Sequence, residues 1–413
     1  MFVDTWINNQ VQKTEREEKK YHAEVGYFQI HHEGEKICGD VFLSKRVPEE
    51  NRIVCAMSDG MGHGVRANVL GTLTATLALN FSMERKDIDT LASLTLKALP
   101  VCSERKLSYA TYTIIDISLT DWATVIIEYD NPQSLILRGS RVYEPAWSTA
   151  KWEKDPKSRG IINLKKCSFI PQIEDRIVIC SDGITQSGLK GGGSLGWGRN
   201  NVIKYVRDII EKTPNISATD LAERVVKRAS ANDLYVPKDD LTCAVVYFRQ
   251  ARKTILCTGP PFNPEKDKEF ASILDDFDGK KIISGATTTE IISRELKREV
   301  KDEAITDPTL PPSSKMDGID LVTEGVLTLS KVTYMFNTLN TNSTIQLGKG
   351  PADQICKLLL DSDEIYILVG TKINENHHDP GLPVEIEIRK NLIRRLTHVL
   401  SEKFMKVVII KYM

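Results

Sequence analysis

The chain has 413 residues, more than one ordinary compact core organises, so its length predicts two domains. With 55 Lys and Arg against 56 Asp and Glu, the formal net charge is -1, which gives no electrostatic case for nucleic acid or an anionic membrane as the main partner. No apolar stretch is long enough to span a bilayer and no basic-then-apolar signal opens the chain, so a cytoplasmic protein is expected.

Residues 1–20 read as a polar, charged leader. From 21 to 56 two strands joined by a turn are predicted: YHAEVGYFQIHHEGE alternates, and RIVCAM is a continuous apolar run. After the glycine-rich turn MSDGMGHG, Val65, Val69, Leu73, Leu77 and Phe81 recur one helical turn apart and predict a helix with one apolar, core-facing side. A second helix is expected through LASLTLKAL, residues 91–99. ATYTIIDISL, TVIIEYD and SLILRG then form a strand meander, split by Asp121 and by Asn131-Pro132. DRIVICSDG is a strand with a sharp end, and NVIKYVRDIIEK and ATDLAERVVKRAS are amphipathic helices, the second capped by Ser217 or Thr219. LTCAVVYF returns to strand. RQARK and GPPFNPEKDK, near 250–268, read as a linker, and a separate, smaller α/β domain is expected over 255–413. The eight cysteines include no C-x-x-C pair and several lie in apolar runs, so reduced core thiols are expected.

Four acidic spots share one habit, each closing or opening a predicted strand: Gly39-Asp40, Asp59-Gly60, Asp182-Gly183 and Asp239-Asp240. A lone strand-end aspartate is a turn former. Four of them, two in the near-identical strings SDGM and SDGI, point instead to a shared site. Carboxylates and carbonyls are hard oxygen donors that suit Mg²⁺ or Mn²⁺, and two such ions can ionise a water and clamp a phosphoryl group. Glycine beside an aspartate lets a main-chain carbonyl come close.

These strings, GD at 39–40, SDGMGHG at 58–64, CSDGITQ at 180–186 and DDLT at 239–242, resemble the metal-dependent protein phosphatases of the protein phosphatase 2C type. They are most similar to the bacterial branch typified by the stage II sporulation protein E serine phosphatase, over roughly residues 20–250. The resemblance implies a four-layer α-β-β-α sandwich with two mostly antiparallel sheets over 21–250. It also implies hydrolysis of phosphoserine or phosphothreonine by a metal-activated water, with two Mn²⁺ or Mg²⁺ ions. Position by position, it makes Asp59 the bridging carboxylate, Gly60 a carbonyl ligand, Asp182 and Asp239 further ligands, and Asp40 the remaining one. Asp240 then supports the ligands from behind. Asp59, Asp40 and His63 are the candidate catalytic residues; the plainer role of His63 is to order its loop, and the other is to act as a general acid. The implied partner is a phosphoprotein, such as an anti-sigma-factor antagonist. The resemblance also allows the helices after the metal loop to act as a regulatory element. A scaffold without turnover and a hydrolase of small phosphate esters stay open as alternatives, as does a homodimer.

Other motifs carry less. Cys243 and Arg249 have Cys-x5-Arg spacing, but AVVYF between them is strand, without the loop a cysteine phosphatase needs. Gly188 and Gly193 have P-loop spacing, with Ser194 in the place of the lysine; a flap or an exposed loop is the simpler reading. His31-His32 and His377-His378 read as surface histidines, since neighbours on a strand point to opposite faces. ISGATTTEIIS, 283–293, reads as strand, turn and helix, where threonines serve as caps or the helix N-terminus holds an anion. The 255–413 domain carries no metal or nucleophile signature; substrate docking, dimerisation and ligand sensing are open roles for it.

Overall fold

The structure is a computed structural model that describes residues 21–83, 111–153, 161–189, 196–339, 347–372, 383–404 and 406–413. The polar leader and the helix expected at 91–99 lie outside the described residues, as do Ser194 and His377-His378. The chain forms two compact units, Met1–Gln250 and Ala251–Met413.

The first unit contains β1 (Tyr21–Ile30), β2 (Val41–Val47), β3 (Arg52–Ser58), α1 (Gly64–Met83), β4 (Tyr112–Ser118), β5 (Thr124–Tyr129), β6 (Leu135–Arg138), β7 (Arg141–Val142), β8 (Ser148–Glu153), β9 (Ile161–Phe169), β10 (Asp175–Cys180), α2 (Asp182–Gln186), α3 (Arg199–Lys212), α4 (Ala218–Asn232) and β11 (Leu241–Gln250). The strands make two antiparallel sheets, ordered β1-β11-β10-β6-β7 and β2-β3-β4-β5-β9-β8. Strand β11 shows why they stack. Its run is apolar on both faces because both are buried: Cys243, Val245 and Tyr247 face α3 and α4, while Ala244, Val246 and Phe248 face the other sheet. Phe42, Met57, Ile115 and Ile126 close that inner core from the six-stranded side. On the outer face of the six-stranded sheet, α1 packs Ala75, Ala78 and Leu79 on Val54, Tyr112 and Ile114. The result is four layers, α-β-β-α. Ser217 caps α4, accepting the Asp220 amide at 3.0 Å.

The apolar side expected to bury α1 does not. Val65, Val69 and Leu73 are 67%, 60% and 44% exposed, whereas Ala67, Gly71, Thr74, Ala75 and Ala78 are buried. The reason is backbone proximity. A Cβ on Gly71 would stand 2.7 Å from the Gly39 carbonyl oxygen, and one on Gly60 2.1 Å from that of Ala67. Only small side chains let the helix approach so closely, so the smallest face, and not the most hydrophobic, packs inward.

The second unit holds β12 (Lys253–Thr258), α5 (Asp267–Asp275), β13 (Lys280–Ser284), α6 (Ala286–Leu296), β14 (Val300–Asp302), β15 (Ser314–Met316), β16 (Ile319–Thr323), α7 (Val326–Thr338), α8 (Pro351–Leu360), β17 (Glu364–Val369), α9 (Pro383–Glu402) and β18 (Val407–Tyr412). The segment read as a linker thus contains β12, the central strand: five parallel strands run β16-β13-β12-β17-β18, with β15 and β14 added antiparallel at one edge. Alternate residues of β12 face opposite helical layers. Ile255 and Cys257 meet Phe270 and Leu274 of α5 and Ile292 of α6, and Leu256 joins the core formed by α7, α8 and α9. This is a doubly wound α/β sheet. The described cysteines are all free thiols, and none is exposed.

Candidate active site at the strand ends

Antiparallel register brings the acidic spots together in two halves. Val41 pairs with Ser58, so Asp40 and Asp59, one residue beyond each, share one end of the six-stranded sheet. Cys180 pairs with Cys243, and the Ser181 amide donates to the Thr242 carbonyl at 3.0 Å, so Asp182 at the start of α2 lies beside Asp239 and Asp240 before β11. The halves meet across the sandwich. Burial, then the charges of Asp40, Asp182 and Asp239, push the Asp59 carboxyl up to about 9, and Asp59 shares a hydrogen bond with Asp182. Burial likewise pushes Asp40 up to about 8 against the pull of the Thr242 and Ser181 hydroxyls, with Asp240 and Asp239 adding repulsion. Asp239 is raised by burial and by the charges of Asp182 and Asp240.

Asp240 differs from the other four. Its Oδ1 accepts the His32 amide and its Oδ2 the Gly39 amide, both at 2.9 Å, so it fastens the β1–β2 loop. Gln29 Nε2 donates to the Asp40 carbonyl at 3.0 Å and to Thr242 Oγ1 at 3.2 Å, and Asn68 of α1 donates to the Cys38 carbonyl at 2.8 Å. Gly62 and Gly64 have φ of +93° and +72°, the left-handed region that glycine enters without strain. The glycine-rich turn thus uses its glycines for backbone shape. At its end His63 Nδ1 lies 2.7 Å from Glu35 Oε1, and its ring stacks on His32 with centroids 4.3 Å apart.

The donor set fits a cation. Asp40 Oδ2 is buried without a hydrogen-bond partner, and the charges that raise Asp40 and Asp59 are those of other carboxylates. Among the described residues no three His, Cys, Asp or Glu side chains are already arranged around a cation position; Asp59 turns to Asp182 instead. Gly60 carries a further reason for being glycine, because a side chain there would strike α1.

Residues 49–249 match the family model described as Stage II sporulation protein E (SpoIIE). This part of the chain, just under half of it, is similar to that family. Asp40 lies before the matched range, and Asp59, Asp182 and Asp239 lie within it. The phosphoserine phosphatase RsbX of Bacillus subtilis (strain 168) is 31% identical over 74 residues, which are 18% of this chain and 35% of that protein. The match therefore spans about a third of the relative's length. Among solved structures, the phosphatase domain of SpoIIE from Bacillus subtilis aligns at 18% identity and a TM-score of 0.41, covering 56% of this chain and 94% of the other. RsbX in complex with magnesium aligns at 18% identity and 0.39, covering 55% and 96%.

Several neighbours of the cluster escaped the sequence reading. Glu35 has no local signature, Ser181 and Thr242 stand inside the quoted strings SDGI and DDLT but were given no role, and His32, read as a surface histidine, takes part through its amide and its ring face. The Cys-x5-Arg match is accidental in structure too: Cys243 is a fully buried strand thiol, and Arg249 Nε pairs with Glu24 Oε2 at 2.6 Å across β1 and β11.

Proposed function

We propose that the SpoIIE-like domain is a metal-dependent serine/threonine phosphatase acting on a phosphoprotein. The observation that supports this best is the convergence of Asp40, Asp59, Asp182 and Asp239, with a buried Asp40 oxygen left without a partner. Asp40, Asp59, the Gly60 carbonyl, Asp182 and Asp239 would hold two Mg²⁺ or Mn²⁺ ions. When bound, such ions ionise water near neutral pH and neutralise phosphoryl charge. The chain's own part is to hold these oxygens still: Asp240 locks the loop before Asp40, and the glycine turn against α1 fixes Asp59. Glu35 fixes the His63 ring by accepting from Nδ1–H, and in the imidazolium form the Nε2–H would be the proton given to the departing serine or threonine oxygen, leaving a neutral ring. The natural substrate is a small regulatory phosphoprotein of the anti-sigma-factor-antagonist kind, in the cytoplasm. No described helix is long and apolar enough to cross a membrane.

The test is hydrolysis of a phosphothreonine peptide and of a small phosphate ester, with Mn²⁺, Mg²⁺ or chelator, by wild type and Asp59→Asn. Metal-dependent cleavage of the peptide, lowered at least about a hundredfold by the substitution, about 2.7 kcal/mol of barrier, is the expected result. Cleavage of the small ester alone would move the substrate to phosphorylated metabolites. Metal binding without any cleavage would make the domain a scaffold.

A further inference from the structure

The doubly wound unit has a feature that the phosphatase reading does not use. Helices α6 and α7 start immediately after β13 and β16, neighbouring parallel strands, on opposite faces of the sheet. Their N-termini meet at the carboxyl edge: a Cβ on Gly325, the residue before α7, would lie 3.4 Å from Cα of Gly285, the residue before α6. The loops are tied together there. Ser284 Oγ donates to the Glu324 carbonyl at 2.8 Å, as does Thr323 Oγ1 at 3.1 Å, and the Gly285 amide donates to the Thr323 carbonyl at 2.9 Å.

Both helices begin on a glycine, and neither has a side-chain cap, so the first-turn amides keep their donor capacity. Thr288 and Thr328 stand third in each helix, are 1% and 0% exposed, and have hydroxyls without a hydrogen-bond partner. A capping threonine would accept a first-turn amide, and these do not. Thr288 reaches back to the start of its helix, because the place a Cβ on Gly285 would take is 3.0 Å from Thr288 Oγ1. Gly285 itself has φ of +136°, which suits glycine.

We propose that the C-terminal unit binds the phosphate group of a small molecule at the paired N-termini of α6 and α7. Uncapped amides at helix N-termini attract anions. An oxygen over Gly285 gives Thr288 Oγ1 its missing partner. Glu324 is the only charged residue in 284–289 and 323–328, so amide and hydroxyl donors, and not a lysine, select the ligand. A phosphate monoester, with about one and a half to two negative charges near pH 7, fits that balance better than a polyphosphate.

The experiment is titration calorimetry of the full chain in chelator, which silences the metal centre, with inorganic phosphate, a nucleoside monophosphate and acetate as separate probes. Thr288→Val and Thr328→Val keep the shape and remove only hydroxyls that make no internal bond, so both variants should melt like wild type. The expected result is saturable binding of phosphate or the monophosphate, weakened about tenfold or more by either substitution, as for a lost hydrogen bond to an anion. Gly285→Ala, which puts a Cβ in that place, should weaken it as well. Absence of binding by all three probes, equal binding of acetate, or binding that both valine variants leave unchanged would overturn the proposal. Because chelator is present throughout, these outcomes do not depend on whether the other unit is a phosphatase.

Discussion

Asp240 sits among four carboxylates yet does a different job, because both its oxygens already accept main-chain amides. Asp240→Asn keeps one acceptor and turns an NH₂ toward an N–H, a cost of about 1–3 kcal/mol for the amide left unpaired. Thermal unfolding should show a lowered midpoint, together with weaker Mn²⁺ binding as the loop before Asp40 loosens. Glu128 is a second buried acid, 2% exposed, whose Oε1 accepts the Ser134 amide at 2.7 Å. Burial raises its carboxyl above the usual range. Its folded value lies above its unfolded one, so its contribution is fully present in acid and is lost as pH rises through the folded value. Glu128→Gln should therefore gain stability relative to wild type as pH goes from 4 to 7; unfolding curves that keep a constant gap across that range would refute it. At this scale the aspartates were legible, since the SDG strings repeat at strand ends. Glu35 and His32 were not, because their place depends on the path of a ten-residue loop that leaves no periodic trace.

Helix α1 shows what periodicity can and cannot tell. Its length and phase were readable, but its buried side was read inversely: hydrophobic pattern ranks faces by transfer energy, while here the approach of the Gly39 and Gly60 backbones selects small residues. Val69→Ser and Leu73→Ser should stay within about 0.5 kcal/mol of wild type in denaturant melts. Ala75→Leu, which overfills the contact with the sheet, should cost about 1–3 kcal/mol. Equal effects on the two faces would contradict the packing. Strand β11 was legible because burial on both faces writes an unbroken apolar run. Strand β12 was missed because six residues between a basic stretch and GPP carry too little pattern to stand out from a linker.

Taken as a whole, the molecule joins an antiparallel sandwich to a parallel sheet at Gln250 and Ala251. The metal site proposed for the first unit and the phosphate site proposed for the second make separate predictions for hydrogen exchange. Mn²⁺ should protect 39–41, 58–64, 181–186 and 239–242, and phosphate should protect 284–289 and 323–328; protection of the first set by phosphate in chelator would contradict this assignment. The pairing of β1 with β11, Tyr21 to Gln250 and Ile30 to Leu241, has a meaning for biosynthesis as well. β1 is an edge strand whose neighbour in the sheet is β11. On the ribosome, at ~5–20 residues per second, β1 would wait ~10–40 s for the strand that completes it. Its amides and carbonyls stay open to water, chaperones or other chains for that time. Asp239, the last of the four clustered carboxylates to be made, directly precedes β11, so the cluster is held together only when that strand pairs.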